Sequence, residues 1–329
     1  MPAIIVLFAG MARSYIKVSP IGVSNEKEYG MRILITGGTG LIGRNLCKAL
    51  LDEGHELTVL SRKPATVPAR CGPGVHAISS LDAWHDDMAF DAVINLAGEP
   101  IADVHWSEKR KQVLLDSRIA LTRKLVSRIA AATHKPAVLL SGSAVGYYGD
   151  RGAIELDETS APGNDFPAQL CREWEEAAMA AAHDGVRVCL LRTGLVLNDE
   201  GGLLGRMLLP FRLGLGTRLG NGMQWMSWVH IDDYVAMVLK LLHDATATGP
   251  FNLTAPQPVT NREFTDTLAE VLHRPAVFTA PAPLLKLVLG KRADMLLTGQ
   301  RVLPGRMSAC GYHFRHGTLH DALVNLLAQ

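Results

Sequence analysis

From Met31 onward, short apolar runs alternate with amphipathic stretches, and the alternation predicts strands and helices in turn. Ile33–Ile35 precedes a helical pattern beginning at Arg44, and Glu56–Leu60 follows the break at Gly54. A weaker run at Val75–Ile78 comes before the clear one at Phe90–Leu96. Apolar residues at consecutive positions, rather than alternate ones, mark strands covered on both faces. A long helical pattern over about Ser107–Thr133 has apolar positions at Val113, Leu114, Ile119, Leu121, Leu125 and Ile129. Ala137–Ser141 and Val186–Arg192 read as further strands, separated by an Ala-rich helix over about Gln169–His183. Strands alternating with helices imply right-handed crossovers, hence an α/β, Rossmann-type doubly wound parallel sheet.

Past Arg192 the texture changes to glycine-broken loops and short helices, with Gly201, Gly202, Gly214, Gly216, Gly220 and Gly222 close together. Residues 31–192, with about 225–253, are expected to form the dinucleotide-binding domain. Residues 193–224 and 254–329 are expected to form a smaller C-terminal substrate domain. Asp232 is expected to cap a helix running to about His243, and Thr260-Asn261-Arg262-Glu263 is a capping box that starts another. Leu319–Leu327 closes the chain as an amphipathic helix. Met1–Gly30 has an apolar start with no basic lead, and is expected to lie outside the fold.

Candidate chemistry begins where the first strand meets the first helix, at Thr36-Gly37-Gly38-Thr39-Gly40-Leu41-Ile42-Gly43. Gly37 permits the tight turn, Gly40 lets a phosphate approach the backbone, and Gly43 lets helix and strand pack closely. With Thr39, Leu41 and Ile42 they present a helix N-terminus, whose free N–H groups and dipole favour an anion. A domain selective for NAD places an acid at the end of the second strand; Arg62 and Lys63 stand there instead. Two cations suit a 2′-phosphate, so NADP is the expected cofactor and NAD the less favoured one. Leu96, Ala97 and Gly98 end a strand in small residues against which a flat cofactor could lie, and Arg118 is within reach of a phosphate. Ser143, Tyr147 and Tyr148 follow the fifth strand pattern, at the end where open α/β sheets bind ligands.

Charge narrows the partners. The 329 residues carry 33 Lys and Arg against 32 Asp and Glu, which gives no footprint for nucleic acid. No apolar run reaches the roughly 18 residues of a membrane span. The five cysteines are scattered, as in a reduced cytoplasmic protein rather than a disulfide or zinc framework. His230, Asp232 and Asp233 stand close together without a further ligand cluster, so no metal is expected.

Taken together, the motifs resemble the extended short-chain dehydrogenase/reductases of the NAD(P)-dependent epimerase/dehydratase superfamily. The carriers are T-G-G-T-G-L-I-G at Thr36–Gly43, N-L-A-G at Asn95–Gly98, L-R-T-G-L-V-L at Leu191–Leu197 and W-V-H-I-D-D at Trp228–Asp233. G-E-P-I at Gly98–Ile101, S-G-S-A-V-G-Y-Y-G at Ser141–Gly149 and V-L-P-G-R-M…G-Y-H-F resemble the subgroup labelled epimerase family proteins, with its own C-terminal domain. The resemblance implies a catalytic Ser, for which Ser143 stands, a Tyr-x-x-x-Lys pair, and a possible homodimer. That pair is missing: Phe166 and Leu170 occupy its two places.

Two functions follow as expectations. One is an NADP-dependent oxidoreductase or epimerase acting on an unidentified small molecule, with Tyr147 or Tyr148 as substitute acid and with Ser143, Trp106 and His230 lining a polar crevice. The other is an NADP(H)-binding sensor or partner-binding protein without turnover.

Overall fold

The computed structural model describes residues 30–85, 88–101, 107–290 and 293–327. Of the expected extension Met1–Gly30, residues 1–29 lie outside the described residues, as does Trp106.

Seven strands form one wholly parallel sheet: β1 (Arg32–Thr36), β2 (Glu56–Leu60), β3 (His76–Ile78), β4 (Ala92–Asn95), β5 (Val138–Ala144), β6 (Arg187–Thr193) and β7 (Gly249–Leu253). Their order is β7-β6-β5-β4-β1-β2-β3, so the winding reverses between β1 and β4. At such a switch point the loops leaving the two strands splay apart and open a crevice.

Successive residues of β1 bury against opposite layers, which is why its apolar run is unbroken. Ile33 and Ile35 join a core with Leu46 and Leu50 of α1 (Leu41–Asp52) and Tyr234 and Val238 of α6 (Ile231–His243). Leu34 joins the other core, with Leu125 and Ile129 of α3 (Leu121–Ala131) and Ala178 of α4 (Phe166–Met179). All three β1 side chains are fully buried, each contributing about 1.5–3 kcal/mol of hydrophobic stabilisation.

The expected helix over about Ser107–Thr133 is a composite. Ser107 caps α2 (Glu108–Leu115), a π-turn spans Asp116–Ala120, and α3 continues from there. A π-turn adds a residue without breaking the apolar pattern, so periodicity alone did not reveal it.

Smaller elements build the C-terminal side: α5 (Gly202–Arg212), α7 (Asn261–Val271), α8 (Ala282–Leu289), α9 (Ala293–Leu297) and α10 (Leu319–Leu327). Short strand pairs tie them back, including Arg301–Val302 on Glu155–Leu156. The capping box at Thr260 and Glu263 forms as read. The cap of α6 does not: His230 holds that position, its Nδ1 accepting from the Asp232 N–H at 3.1 Å. Asp232 is therefore inside the helix, because an imidazole nitrogen serves as the acceptor a carboxylate was expected to provide. The neighbouring Asp233 carboxylate instead accepts from Tyr312 Oη and the Arg315 and His316 N–H groups, pinning the chain before α10.

Candidate functional site

The three glycines of the β1–α1 loop have separate jobs. Gly37 has φ +75°, and a Cβ there would meet the Leu96 backbone at 2.6 Å. A Cβ on Gly43 would collide with the Gly37 carbonyl and the Gly38 backbone. Gly40 differs: its backbone is extended, and its nearest neighbour would be the Gly37 oxygen at 3.3 Å. The space before it is open, as close approach by a ligand requires. No side chain caps α1, and no acid stands in its first turn. Its N–H groups and positive dipole end therefore face the crevice, which Leu41 and Ile42 also line. Thr39 does not line it; its carbonyl accepts from Arg70.

A buried polar ladder fixes the floor. Thr36 Oγ1 donates to Asn95 Oδ1 at 2.6 Å and accepts from the Ala97 N–H. Asn95 Nδ2 donates to Thr122 Oγ1 and Ser141 Oγ, and Trp174 Nε1 also donates to Thr122. These bonds lock the switch-point loops across β1, β4 and β5, each worth about 1 kcal/mol net and costly to leave unmade.

At the β2 end, Arg62 is 90% exposed, and its guanidinium donates to Glu99 Oε1 at 2.7 Å. Arg62 holds the Glu99 carboxyl below the ordinary range, with Arg110 assisting. Lys63 is exposed beside it. Of the strand-end residues, Leu96 lines the crevice whereas Ala97 and Gly98 do not. What lies against Gly98 is the Arg118 guanidinium, 2.9 Å from where its Cβ would be. Arg118 projects from the π-turn into the crevice, bonded to the Glu99 carbonyl and packed over Trp174. Burial lowers its pKa.

Ser143 lines the crevice at the end of β5, but its hydroxyl proton is committed: it donates to Glu175 Oε1 at 2.6 Å. Glu175 is held by a bidentate Arg192 at 2.9 Å on both oxygens. Arg192 also donates to Tyr148 Oη, which in turn donates to Asn252 Oδ1 at 2.6 Å. Tyr148 is fully buried, and burial pushes its phenol up to about 12. Tyr147 stacks on the Arg192 guanidinium at 3.6 Å. Neither tyrosine lines the crevice, because β5 ends in a 3-10 turn that carries both rings toward the C-terminal side. Both therefore leave the list of candidate acids. His230 is not in the crevice either; it is buried at the α6 cap against His316, with ring centroids 3.9 Å apart.

Phe166 and Leu170, the residues at the Tyr-x-x-x-Lys places, both face the crevice from the start of α4. Cys171 lies beside them, its thiol pushed up to about 12 by burial and by the Glu175 charge, so it stays protonated. Neither Glu175 nor Arg192 was singled out as a site residue from the sequence. Their signal was present: a glutamate four residues after Cys171 on a buried helix face, and an arginine ending a run of buried strand residues.

Together these walls enclose about 860 Å³, closed on the C-terminal side by Leu203, Met295, Thr298 and Gln300. The opening suits an elongated ligand with an anionic centre against Gly40 and α1. Two clusters among the described residues have metal-ligand composition, Glu53/His55/His243 and His230/Asp232/His316. In each, a backbone N–H donates to the buried histidine's Nδ1, from Met31 and Asp232 respectively. That bond occupies the Nδ1 lone pair in each ring, so Nδ1 is not free to take a metal.

Comparison with known proteins identifies the family. The sequence model described as the NAD dependent epimerase/dehydratase family matches residues 33–253, and a domain of unknown function, DUF1731, matches residues 280–326. The Arabidopsis thaliana epimerase family protein SDR39U1 homolog, chloroplastic, is 40% identical over 307 residues, covering 91% of this chain and 88% of that protein. The Staphylococcus epidermidis epimerase family protein SERP0438 is 38% identical over 301 residues, covering 90% and 99%. The crystal structure of human epimerase family protein SDR39U1 (isoform 2) with NADPH superposes with a TM-score of 0.82 at 36% identity, covering 91% and 100%. The fold alone is shared with a Thermotoga maritima UDP-glucose 4-epimerase, TM-score 0.75 at 17% identity.

Proposed function

Because the chain belongs to the NAD dependent epimerase/dehydratase family, we propose that it binds NADP(H) in this crevice and works as an atypical short-chain dehydrogenase/reductase on a small molecule. The observation that carries the reading is the α1 N-terminus, uncapped, free of acids and fronted by the open space at Gly40. NADP(H) rather than NAD(H) is supported by Arg62 at the β2 end, and by the NADPH held in the human relative.

The residues divide the work as follows. Gly37, Gly40 and the first turn of α1 hold the pyrophosphate. Arg62, released from Glu99, meets the 2′-phosphate with its guanidinium fork. Bound NADP(H) supplies hydride exchange at its nicotinamide ring. Phe166, Leu170 and Trp174 keep water from that end, and Ser143 presents lone pairs to a ligand hydroxyl while its own proton rests on Glu175. One observation favours a second reading, in which NADP(H) is bound without turnover. Phe166 and Leu170 supply neither a phenol nor an ammonium at the two places of the family's Tyr-Lys pair, and burial keeps the neighbouring Cys171 protonated.

Titrating purified protein with NADPH, then mixing the complex with a panel of aldehydes and ketones, decides between them. Oxidation of NADPH by any carbonyl supports the enzyme; tight binding without oxidation across the panel supports the sensor. Arg62→Asp should weaken NADP+ by about tenfold, the lower end for a charge-assisted contact because the site is exposed. NAD+ affinity should change little. Equal losses for both nucleotides would remove Arg62 from phosphate recognition.

A further inference from the structure

The crevice's own hydroxyls have no proton to offer a substrate. Ser143 donates to Glu175, and Thr298 Oγ1 donates to the Asp294 carbonyl at 2.7 Å. Thr193 Oγ1 is shared between the Leu191 carbonyl and Tyr234 Oη. Around them the apolar side chains Phe166, Leu170, Leu203 and Met295 form much of the wall, with Arg118, Asp165, Asp294 and Gln300 at separate points. A polyhydroxylated substrate could donate to these oxygens but would receive no hydroxyl proton in return, so several of its own acceptor sites would go unmet.

Lys111 is different. It reaches the crevice from α2, with its Nζ 5.5 Å from the Phe166 ring centroid, beside the side chain at the missing tyrosine's place. Its tether is Glu108 Oε1 at 2.8 Å, one turn back on the same helix. Glu108 is 88% exposed while Lys111 is only 24% exposed, so water already solvates the partner that would be left behind. An exposed pair of this kind contributes about 0–1 kcal/mol, and exchanging it for a ligand anion inside a drier cavity costs little. An ammonium has three donors, and Glu108 takes one.

Resting on the NADP(H) reading above, the geometry points to a substrate with an apolar body and one anionic end, the anion read by Lys111 and the body held by Phe166, Leu203 and Met295. Lys111 is the specificity-determining group of the crevice. A sugar nucleotide, with its many hydroxyls, is not its ligand.

Calorimetry on the NADPH-loaded full chain tests this with three probes: 4-phenylbutyrate, 4-phenylbutan-1-ol and UDP-glucose. Wild type should bind the carboxylate about tenfold or more tighter than the alcohol, the scale of one charge-assisted hydrogen bond, and UDP-glucose least. Lys111→Glu should reverse the preference for the carboxylate, and Lys111→Arg should keep it, with NADPH affinity the same in all three proteins. Equal binding of acid and alcohol, preference retained in Lys111→Glu, tighter binding of UDP-glucose, or no binding of any probe each overturns the proposal. If NADPH itself fails to bind, the cofactor reading falls separately. The same probes on cofactor-free protein then still score Lys111 by the same criteria.

Discussion

Gly40→Val is expected to leave the protein folded and to raise the Kd for NADPH by about a hundredfold or more. Gly40 has φ −75° and ψ 176°, ordinary extended backbone that valine adopts readily. Its Cβ would stand 3.3 Å from the Gly37 oxygen, a tight contact relieved by a small shift of the loop and far milder than the clash at Gly43. The added methyls would instead stand in the space before the α1 N–H groups, where a pyrophosphate must lie to reach them. A hundredfold loss corresponds to about 2.7 kcal/mol, a modest charge for withdrawing several charge-assisted hydrogen bonds at once. Gly43→Val should do the opposite: its Cβ meets backbone atoms on three sides, so thermal stability falls first. Fluorescence titration beside a thermal melt separates the two. Unimpaired NADPH affinity in Gly40→Val would reduce the glycine loop to a turn and remove the main support for the proposed cofactor.

Arg192→Met should destabilise the chain by about 3–5 kcal/mol, because it leaves the Glu175 carboxylate buried and unpaired. Tyr148 Oη and the Glu158 carbonyl lose a donor in the same step. Only the Ser143 hydroxyl would then remain on the Glu175 carboxylate. Arg192→Met combined with Glu175→Leu should recover much of the loss, since a buried pair costs more to break than to replace. Urea unfolding of both variants checks the two parts. A cost below 1 kcal/mol for Arg192→Met would mean that water, and not Arg192, satisfies Glu175.

Six of the seven sheet strands were legible because each is a local pattern: a short apolar run, bounded by a glycine or a polar turn, needs no knowledge of distant residues. The exception, β7, was not read, because Gly249-Pro250-Phe251-Asn252-Leu253 has no unbroken apolar run. The same holds for the glycine loop, whose meaning lies in being flanked by strand and helix. What escaped is non-local. Tyr148 and Asn252 are 104 positions apart, and nothing near Tyr148 in the chain shows that its ring turns away from the crevice. Lys111 and Phe166 belong to different helices, so the ammonium beside the missing phenol became visible only once the crossovers were closed. His230 took a capping position expected of Asp232 because the helix starts two residues earlier than a cap at Asp232 would place it.

Glu158 has a consequence for how the chain is divided. Its carboxylate accepts the N–H of Asn252 in β7 and that of Arg306, while the Arg306 guanidinium donates to the carbonyls of Thr248 and Pro250. One buried anion thus takes donors from the last sheet strand and from the region matched by a separate sequence family. Cutting away that region would strand a charge in the interior and expose the edge of the sheet. The two families recognised along the chain therefore meet at one buried carboxylate, which each side helps to satisfy.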